Sequence, residues 1–373
     1  MSERGRFFRN VLIKALILFL AANGLFAACD MLPILGRISL YNRLFPGRTR
    51  LPYGEDPASD YNLSLFNLEA MFASHEISAQ PEAGEYRVML IGDSSSWGFL
   101  LAPEDTLAAR INAESEGGVH VYNLGYPTMS ATKDLLMLDY AMHFQPDLIL
   151  WMVTLESLPQ TKQLDSPILQ HNAEAVRALI AAYGLHSDPQ DPRLIDPTLW
   201  DRTLAGERRP LADLVRLQLY GFLWAATGTD QYLPAEFDPP QWDLDADEAF
   251  HGLEPPVLKE GDLAFDVLSA GREMAGNVPL WIVNEPIFLS RGANSGIRYN
   301  FFYPRWAYDA YRALLTDRCD AWHLVCYDFW DRIPAEEFSN SAIHRTPRGE
   351  AMLAEELGSL IVKAREGAPA EDG

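Results

Sequence analysis

The stretch YRVMLIGDSSSWG (Tyr86–Gly98) opens as a six-residue run that is apolar but for Arg87 and stops at a glycine. A run this short and this evenly apolar has neither the 3.6-residue period of a surface helix nor the alternation of a half-exposed strand. It reads as a strand buried on both faces, which is the situation of a parallel sheet. The Gly-Asp-Ser that follows places Ser94 where strand turns into helix, and there a serine stands exposed above the carboxyl edge of the sheet.

Working outward, four more runs have the same character: Val119–Leu124, Leu148–Thr154, Pro279–Val283 and His323–Asp328. Helical patterns lie between them at Thr106–Glu114, Ala131–His143, Ala173–Tyr183, Ala212–Ala226, Leu263–Ala275 and Ala307–Leu315. A last helix follows Thr346-Pro347, with Thr as N-cap, Pro at the first helical position, and Leu353, Leu357, Leu360 and Ile361 on one face. This alternation predicts an α/β fold: a doubly wound, five-stranded parallel sheet with helices on both faces. It is interrupted once, over 157–277, by a helical and then acidic, Pro-rich stretch that is expected to be an inserted cap over the carboxyl edge. The expected organisation is an anchor segment 1–29, a juxtamembrane linker 30–84, the α/β domain over 85–156 and 278–366, the cap 157–277 and a flexible tail 367–373.

Composition agrees with a folded body. Of 373 residues 48% are hydrophobic and 22% charged, which excludes disordered and collagen-like chains. The net charge of −22 argues against a nucleic-acid partner, which demands a basic surface. That charge is uneven: residues 1–50 carry eight basic side chains against two acidic ones, leaving about −28 for the rest. Within the basic head, VLIKALILFLAANGLFAA (Val11–Ala28) follows Arg4, Arg6 and Arg9 and, with Phe7 and Phe8, is long enough to cross a bilayer. The basic flank predicts a cytoplasmic N-terminus and an extracytoplasmic body on a single-pass cell-membrane protein. Leu25-Phe26-Ala27-Ala28-Cys29 resembles a bacterial lipobox, but Phe26 departs from the pattern and an uncleaved signal anchor is the expectation. Residues 31–50 mix apolar side chains with four arginines, a pattern that suits the headgroup layer or a plain linker. Cys319 and Cys326 lie seven apart between a helix-like and a strand-like run, and an oxidising compartment permits a disulfide there.

No Cys/His spacing suggests zinc, and neither metal nor cofactor is expected. Asp243, Asp245, Asp247 and Glu254 fall near calcium-loop positions, but Glu248 stands where the loop requires glycine and Pro255-Pro256 follow at once, so a solvated acidic loop is expected. His120, His143 and His323 sit beside strand or helix patterns and read as structural, and Tyr299, Tyr303 and Trp306 as packing beneath the cap.

Four segments together resemble the SGNH (GDSL-like) hydrolase family: Gly92-Asp93-Ser94; Val121-Tyr122-Asn123-Leu124-Gly125; Pro146-Asp147-Leu148-Ile149-Leu150-Trp151; and Ile343-His344-Arg345-Thr346-Pro347-Arg348-Gly349 before the last helix. The resemblance spans about 86–155 and 278–362. It implies Ser94 as nucleophile, His344 as general base, and the backbone N–H groups of Ser94 and Gly125 as oxyanion donors. Two positions depart from the pattern. The third block usually ends Gly-x-Asn-Asp, and here reads Thr154-Leu155-Glu156-Ser157. The family's Asp three residues before the histidine is Ser341, with Asn340 beside it. The third triad member is therefore absent, or Asn340, or supplied by Asp328 or Asp331. Losing an oxyanion donor costs on the order of 10²–10³ in rate, and losing the orienting acid about 10⁴.

Asp93, Asn123, Thr154, Glu156 and Glu285 are expected at the edge of the site. Glu156 and Glu285 form a conceivable acid/base pair for sugar chemistry, set against the preferred reading that they cap helices or pair with Arg291, Arg298 or Arg305. The resemblance implies a membrane-anchored serine ester hydrolase or O-acyltransferase acting on acyl esters of cell-envelope glycans, with a membrane-bound O-acyltransferase as partner. The altered third block and missing Asp keep open a degenerate binding or assembly protein on the same fold.

Overall fold

The computed structural model describes residues 3–53, 66–78, 84–115 and 118–367. Along the chain, α1 (Glu3–Cys29), α2 (Met31–Gly36), α3 (Leu40–Leu44) and α4 (Leu68–Ala73) precede β1 (Tyr86–Ile91). Then come α5 (Ser94–Trp97), α6 (Leu107–Glu114), β2 (Val119–Asn123), α7 (Ala131–Ala141) and β3 (Leu148–Val153). The insertion carries α8 (Pro167–His171), α9 (Ala173–Tyr183) and α10 (Arg208–Thr227), and the chain closes through α11 (Phe265–Ala275), β4 (Leu280–Asn284), α12 (Arg305–Trp322), β5 (Val325–Asp328) and α13 (Pro347–Gly367).

The five strands are all parallel, in the order β2-β1-β3-β4-β5. Because side chains alternate along a strand, each strand feeds two cores. Val88, Leu90, Leu148, Leu150 and Val283 meet α6 and α13 through Leu107, Ile111, Leu353, Leu357 and Ile361. Met89, Ile91, Ile149, Trp151 and Ile282 meet α7, α11 and α12 on the other side. Both faces are thus covered, which is why the strand sequences are continuous apolar runs. Cutting Leu150 back to Ala inside such packing costs roughly 2–5 kcal/mol. With every strand parallel, the segments after β1, β2, β3 and β4 all emerge at one edge, where an open α/β sheet binds its ligands.

Two parts of the chain sit differently from the sequence expectation. Over 31–53 the supposed linker is packed into the body. Arg50 is fully buried, bonded to Asp230 of the insertion and, through Nη1 at 3.0 Å, to the carbonyls of Gly98 and Leu101. Arg48 reaches the same aspartate at 3.3 Å, and Gln231 donates to those carbonyls at 2.9 and 2.8 Å. The loop behind α5 is therefore clamped from two distant segments. Residues 54–65 and 79–83 of that stretch, and the tail beyond Gly367, lie outside the described residues. The insertion packs in more than one place. Ile168, Val176 and Leu179 join the core around α7, whereas α10 packs on α3 through Tyr41, which lies against Gly221. Its acidic part, from Trp242 to His251, runs along 290–306, where Asp243 accepts the Ala293 N–H at 2.8 Å and Glu248 O accepts Trp306 Nε1–H at 2.7 Å.

Among the described residues, one helix, α1, is long and apolar enough to cross a membrane. Cys319 and Cys326 are joined by a disulfide that ties the end of α12 to β5.

Candidate active site

Ser94 is the first residue of α5, and Asp93 caps that helix by accepting the Ser95 N–H at 2.8 Å. The first N–H groups of a helix have no intrahelical acceptor, so the Ser94 N–H is available for an anion. His344 comes from the loop before α13, 250 residues later, and its Nε2 lies 2.8 Å from Ser94 Oγ. On the other side of the ring, Nδ1 is 3.2 Å from Asn340 Oδ1. That oxygen can only accept, so Nδ1 carries the hydrogen and Nε2 offers its lone pair to the serine hydroxyl. Of the three candidates for the third position, Asn340 is the one beside the imidazole. Asp328 is instead bonded to Asn284 Nδ2 at 2.7 Å and to Arg312 at 2.6 Å.

Burial and the neighbouring Arg345 guanidinium push His344 down to about 4, so the ring is neutral at physiological pH. Phe99 covers one side of it, with ring centroids 5.1 Å apart.

Below this pair runs a buried hydrogen-bonded bridge that local sequence did not indicate. Ser95 Oγ donates to Glu285 Oε2 at the end of β4. Arg345, next to the histidine, donates to the same oxygen at 3.2 Å and to Glu350 at 3.1 Å. The residue after the nucleophile and the residue after the base are thus joined through one carboxylate. Glu285 pairs with Arg345 and not with Arg291, Arg298 or Arg305, because the loop before α13 folds back over the end of β4. Burial, with Asp93 nearby, pushes Glu285 up to about 8. Burial likewise holds Asp93 above its ordinary value. Lys133, fully buried, donates to the Gly92 carbonyl at 2.7 Å and to Asp134 at 2.5 Å, bracing the turn from the other side. A buried Lys-Asp pair within Ser130-Ala-Thr-Lys-Asp was the available sequence signal, since charges at adjacent positions of an otherwise apolar helix need internal partners.

The other expected edge residues are placed as follows. Gly125 lies so close to α5 that a Cβ there would meet Trp97 N at 2.5 Å and Ser96 C at 2.8 Å. Its N–H, however, donates to Asn123 Oδ1 at 3.0 Å, so the second expected oxyanion donor is committed to a side chain. Thr154 Oγ1 is bonded to Tyr303 OH at 2.8 Å. Glu156 is held by Lys162 and by His251 Nε2 at 2.8 Å. Burial opposes its charge, but these hydrogen bonds outweigh it and bring its pKa below the ordinary value. Glu156 is thus engaged with Lys162 and His251, and Glu285 with Ser95 and Arg345. His120 contacts Glu76 at 3.1 Å, His143 its own helix at Tyr140 O, and His323 ends α12, all structural placements.

No family model matches the chain, and no curated protein matches it. Among solved structures it is similar to a member of the lipolytic protein G-D-S-L family from Veillonella parvula DSM 2008, with 10% identity over 75% of this chain and 98% of that one, at a TM-score of 0.35. A carbohydrate acetylesterase family member from Sinorhizobium meliloti gives 13% identity over 74% of this chain and 97% of that one, at 0.33. The inhibitor-bound aryl esterase of M. smegmatis gives 10% identity over 74% and 98%, at 0.36. Likenesses this distant leave the assignment to the geometry of the site.

Proposed function

We propose that this chain is a membrane-anchored, extracytoplasmic serine ester hydrolase or O-acyltransferase of the SGNH type. The observation that carries the reading is the contact between Ser94 Oγ and His344 Nε2 at 2.8 Å, with Asn340 Oδ1 on the far ring nitrogen. Two residues 250 positions apart, one heading a helix above the sheet edge, meet with the polarity that nucleophilic catalysis needs.

In the mechanism, Ser94 Oγ attacks the ester carbonyl while its proton passes to His344 Nε2. The new C–O bond forms as the carbonyl π pair moves onto oxygen, and the Ser94 N–H, at the positive end of α5, faces that charge. Collapse breaks the bond to the alcohol, which leaves with the proton from His344. The acyl group on Ser94 is then taken by water or by a sugar hydroxyl, with His344 again as base. Asn340 holds the imidazole in the productive tautomer but supplies no negative charge to balance the imidazolium. With a base near 4 and one open oxyanion donor, a slow enzyme is expected. Glycan acyl groups as substrates, and a membrane-bound O-acyltransferase as partner, follow from the family resemblance.

One observation favours a second reading, a degenerate binding protein on the same fold: the Gly125 N–H is already occupied by Asn123. Hydrolysis of a p-nitrophenyl acyl ester by the full-length chain separates the two. Turnover lost in both Ser94→Ala and His344→Ala supports the enzyme. Turnover absent from the natural chain, or unchanged in Ser94→Ala, gives the site to binding.

A further inference from the structure

The helix α10 is apolar on opposite sides. Asp213, Leu217 and Gly221 face inward, with Tyr41 of α3 lying against Gly221. Half a turn away, Val215, Leu219 and Leu223 are each 59% exposed. A helix with apolar side chains on two opposite sides requires cover on both, and the body supplies only one. Beside it Leu44 is 67% exposed, and Phe45 meets Phe222 of α10 edge to face at 6.0 Å, so α3 and α10 present one continuous apolar face.

The anchor helix fixes the depth of that face. Asn23, a polar residue within the apolar run of α1, is buried against the insertion: its Oδ1 accepts the Ala205 N–H at 3.0 Å, and its Nδ2 donates to Phe19 O at 2.8 Å. Asn23 lies six residues before Cys29, which is about 9 Å down the helix axis at about 1.5 Å per residue. The loop through Ala205, with Trp200 62% exposed, therefore reaches below the end of an apolar run that continues to Ala28. Tryptophan at that level and arginine around it are the composition of a membrane interface. Arg208 bonds the Ala205 carbonyl at 2.7 Å, Arg216 is exposed at the flank of α10, and Arg43 is exposed on α3. This basic rim stands on an otherwise strongly acidic body, where it complements anionic headgroups.

We propose that α3, α10 and the 199–206 loop form a second membrane-contacting surface, embedded in the outer leaflet beside α1, so that the body lies on the bilayer and does not swing from a tether. This rests on α1 being a membrane anchor. The occupant is lipid, because the loop that leads into α10 is bonded to α1 within its apolar run, through Ala205 and Asn23. It also gives the packed 31–53 segment a purpose: Arg48 and Arg50, through Asp230, fasten the platform to the loop behind Ser94.

The test uses the full chain in phosphatidylethanolamine–phosphatidylglycerol vesicles containing nitroxide-labelled lipid, with Cys29→Ser and single bimane-labelled cysteines. The positions are Leu219→Cys and Leu223→Cys on the platform, Leu16→Cys in α1, and Ser359→Cys on α13. Loss of fluorescence at 16, 219 and 223 with none at 359 is the expected result. Loss at 16 but at neither 219 nor 223 overturns the platform while leaving the anchor, and gives this face to a protein partner. No loss at 16 removes the anchor and the platform together.

Discussion

Replacing Asn340 by Asp restores the charge that the site lacks, and the structure says by how much it should matter. Asn340 Oδ1 is 3.2 Å from His344 Nδ1, so an isosteric carboxylate would lie roughly 4 Å from the centre of the imidazolium that forms during attack. At that separation two unit charges interact by roughly 1 kcal/mol in water-like surroundings and roughly 4 kcal/mol at an effective dielectric of about 20. Asn340 is exposed, which favours the lower figure. Roughly 1 kcal/mol is about a fivefold gain in kcat/KM at neutral pH and a rise in the histidine pKa of somewhat under one unit. His344 acts as the neutral base, so activity falls as pH drops through its pKa, near 4 in the natural chain. Raising that pKa moves the acid limb to higher pH while the plateau rises, so the two profiles converge on the acid limb and separate toward neutral pH, a pattern that a general change in folding would not produce. The assay is the pH profile of kcat/KM on a p-nitrophenyl ester for the natural chain and Asn340→Asp. An unmoved acid limb, or a slower variant with intact fold, would refute the reasoning.

Three further outcomes are expected. Gly125→Ala should lower kcat by up to about 10²-fold, more than it changes KM, because its Cβ meets backbone atoms of α5 at 2.5 and 2.8 Å and must displace the nucleophile; steady-state kinetics checks it. Removing the Cys319–Cys326 bridge by Cys319→Ser and Cys326→Ser should cost about 2–3 kcal/mol in denaturant unfolding, the chain-entropy value for a closed loop this short. Between about pH 7.5 and 8 His75 and His344, both near 4 when folded, are almost wholly neutral folded and unfolded, whereas Glu285, at about 8, still holds much of its proton only in the fold. A carboxyl whose folded pKa is raised contributes stability that is lost as pH rises through that value. Stability should therefore decline across this window by up to about 1.4 kcal/mol per pH unit from Glu285. Unfolding of Glu285→Gln should show a shallower slope, and an unchanged slope would remove Glu285 from the account.

The sheet was readable in the chain because a parallel strand covered on both faces must be apolar throughout. The five runs from Tyr86 to Asp328 match the strands to within one or two residues at each end. Ser94, His344 and Asn340 were readable because turn and loop residues carry their chemistry locally. The pairing of Glu285 with Arg345 was not, since the partners are 60 residues apart and an arginine next to a histidine announces no partner. The commitment of Gly125 N–H to Asn123 escaped for a different reason: a motif gives the residue type, while the direction of one amide depends on a neighbouring rotamer. Arg48 and Arg50 fell in a segment that suited the headgroup layer or a plain linker. Only the fold of the insertion brings Asp230 to them, and a buried acid from 180 residues away is not a local property.

The central claim is that Ser94 is a nucleophile activated by His344, and covalent trapping tests it most directly. Full-length protein is treated with a fluorophosphonate and the modified peptide identified by mass spectrometry. The account predicts one adduct, on Ser94, formed far more slowly in His344→Ala and absent in Ser94→Ala. An adduct on Ser95 or Ser96, or none on the folded chain, would contradict it.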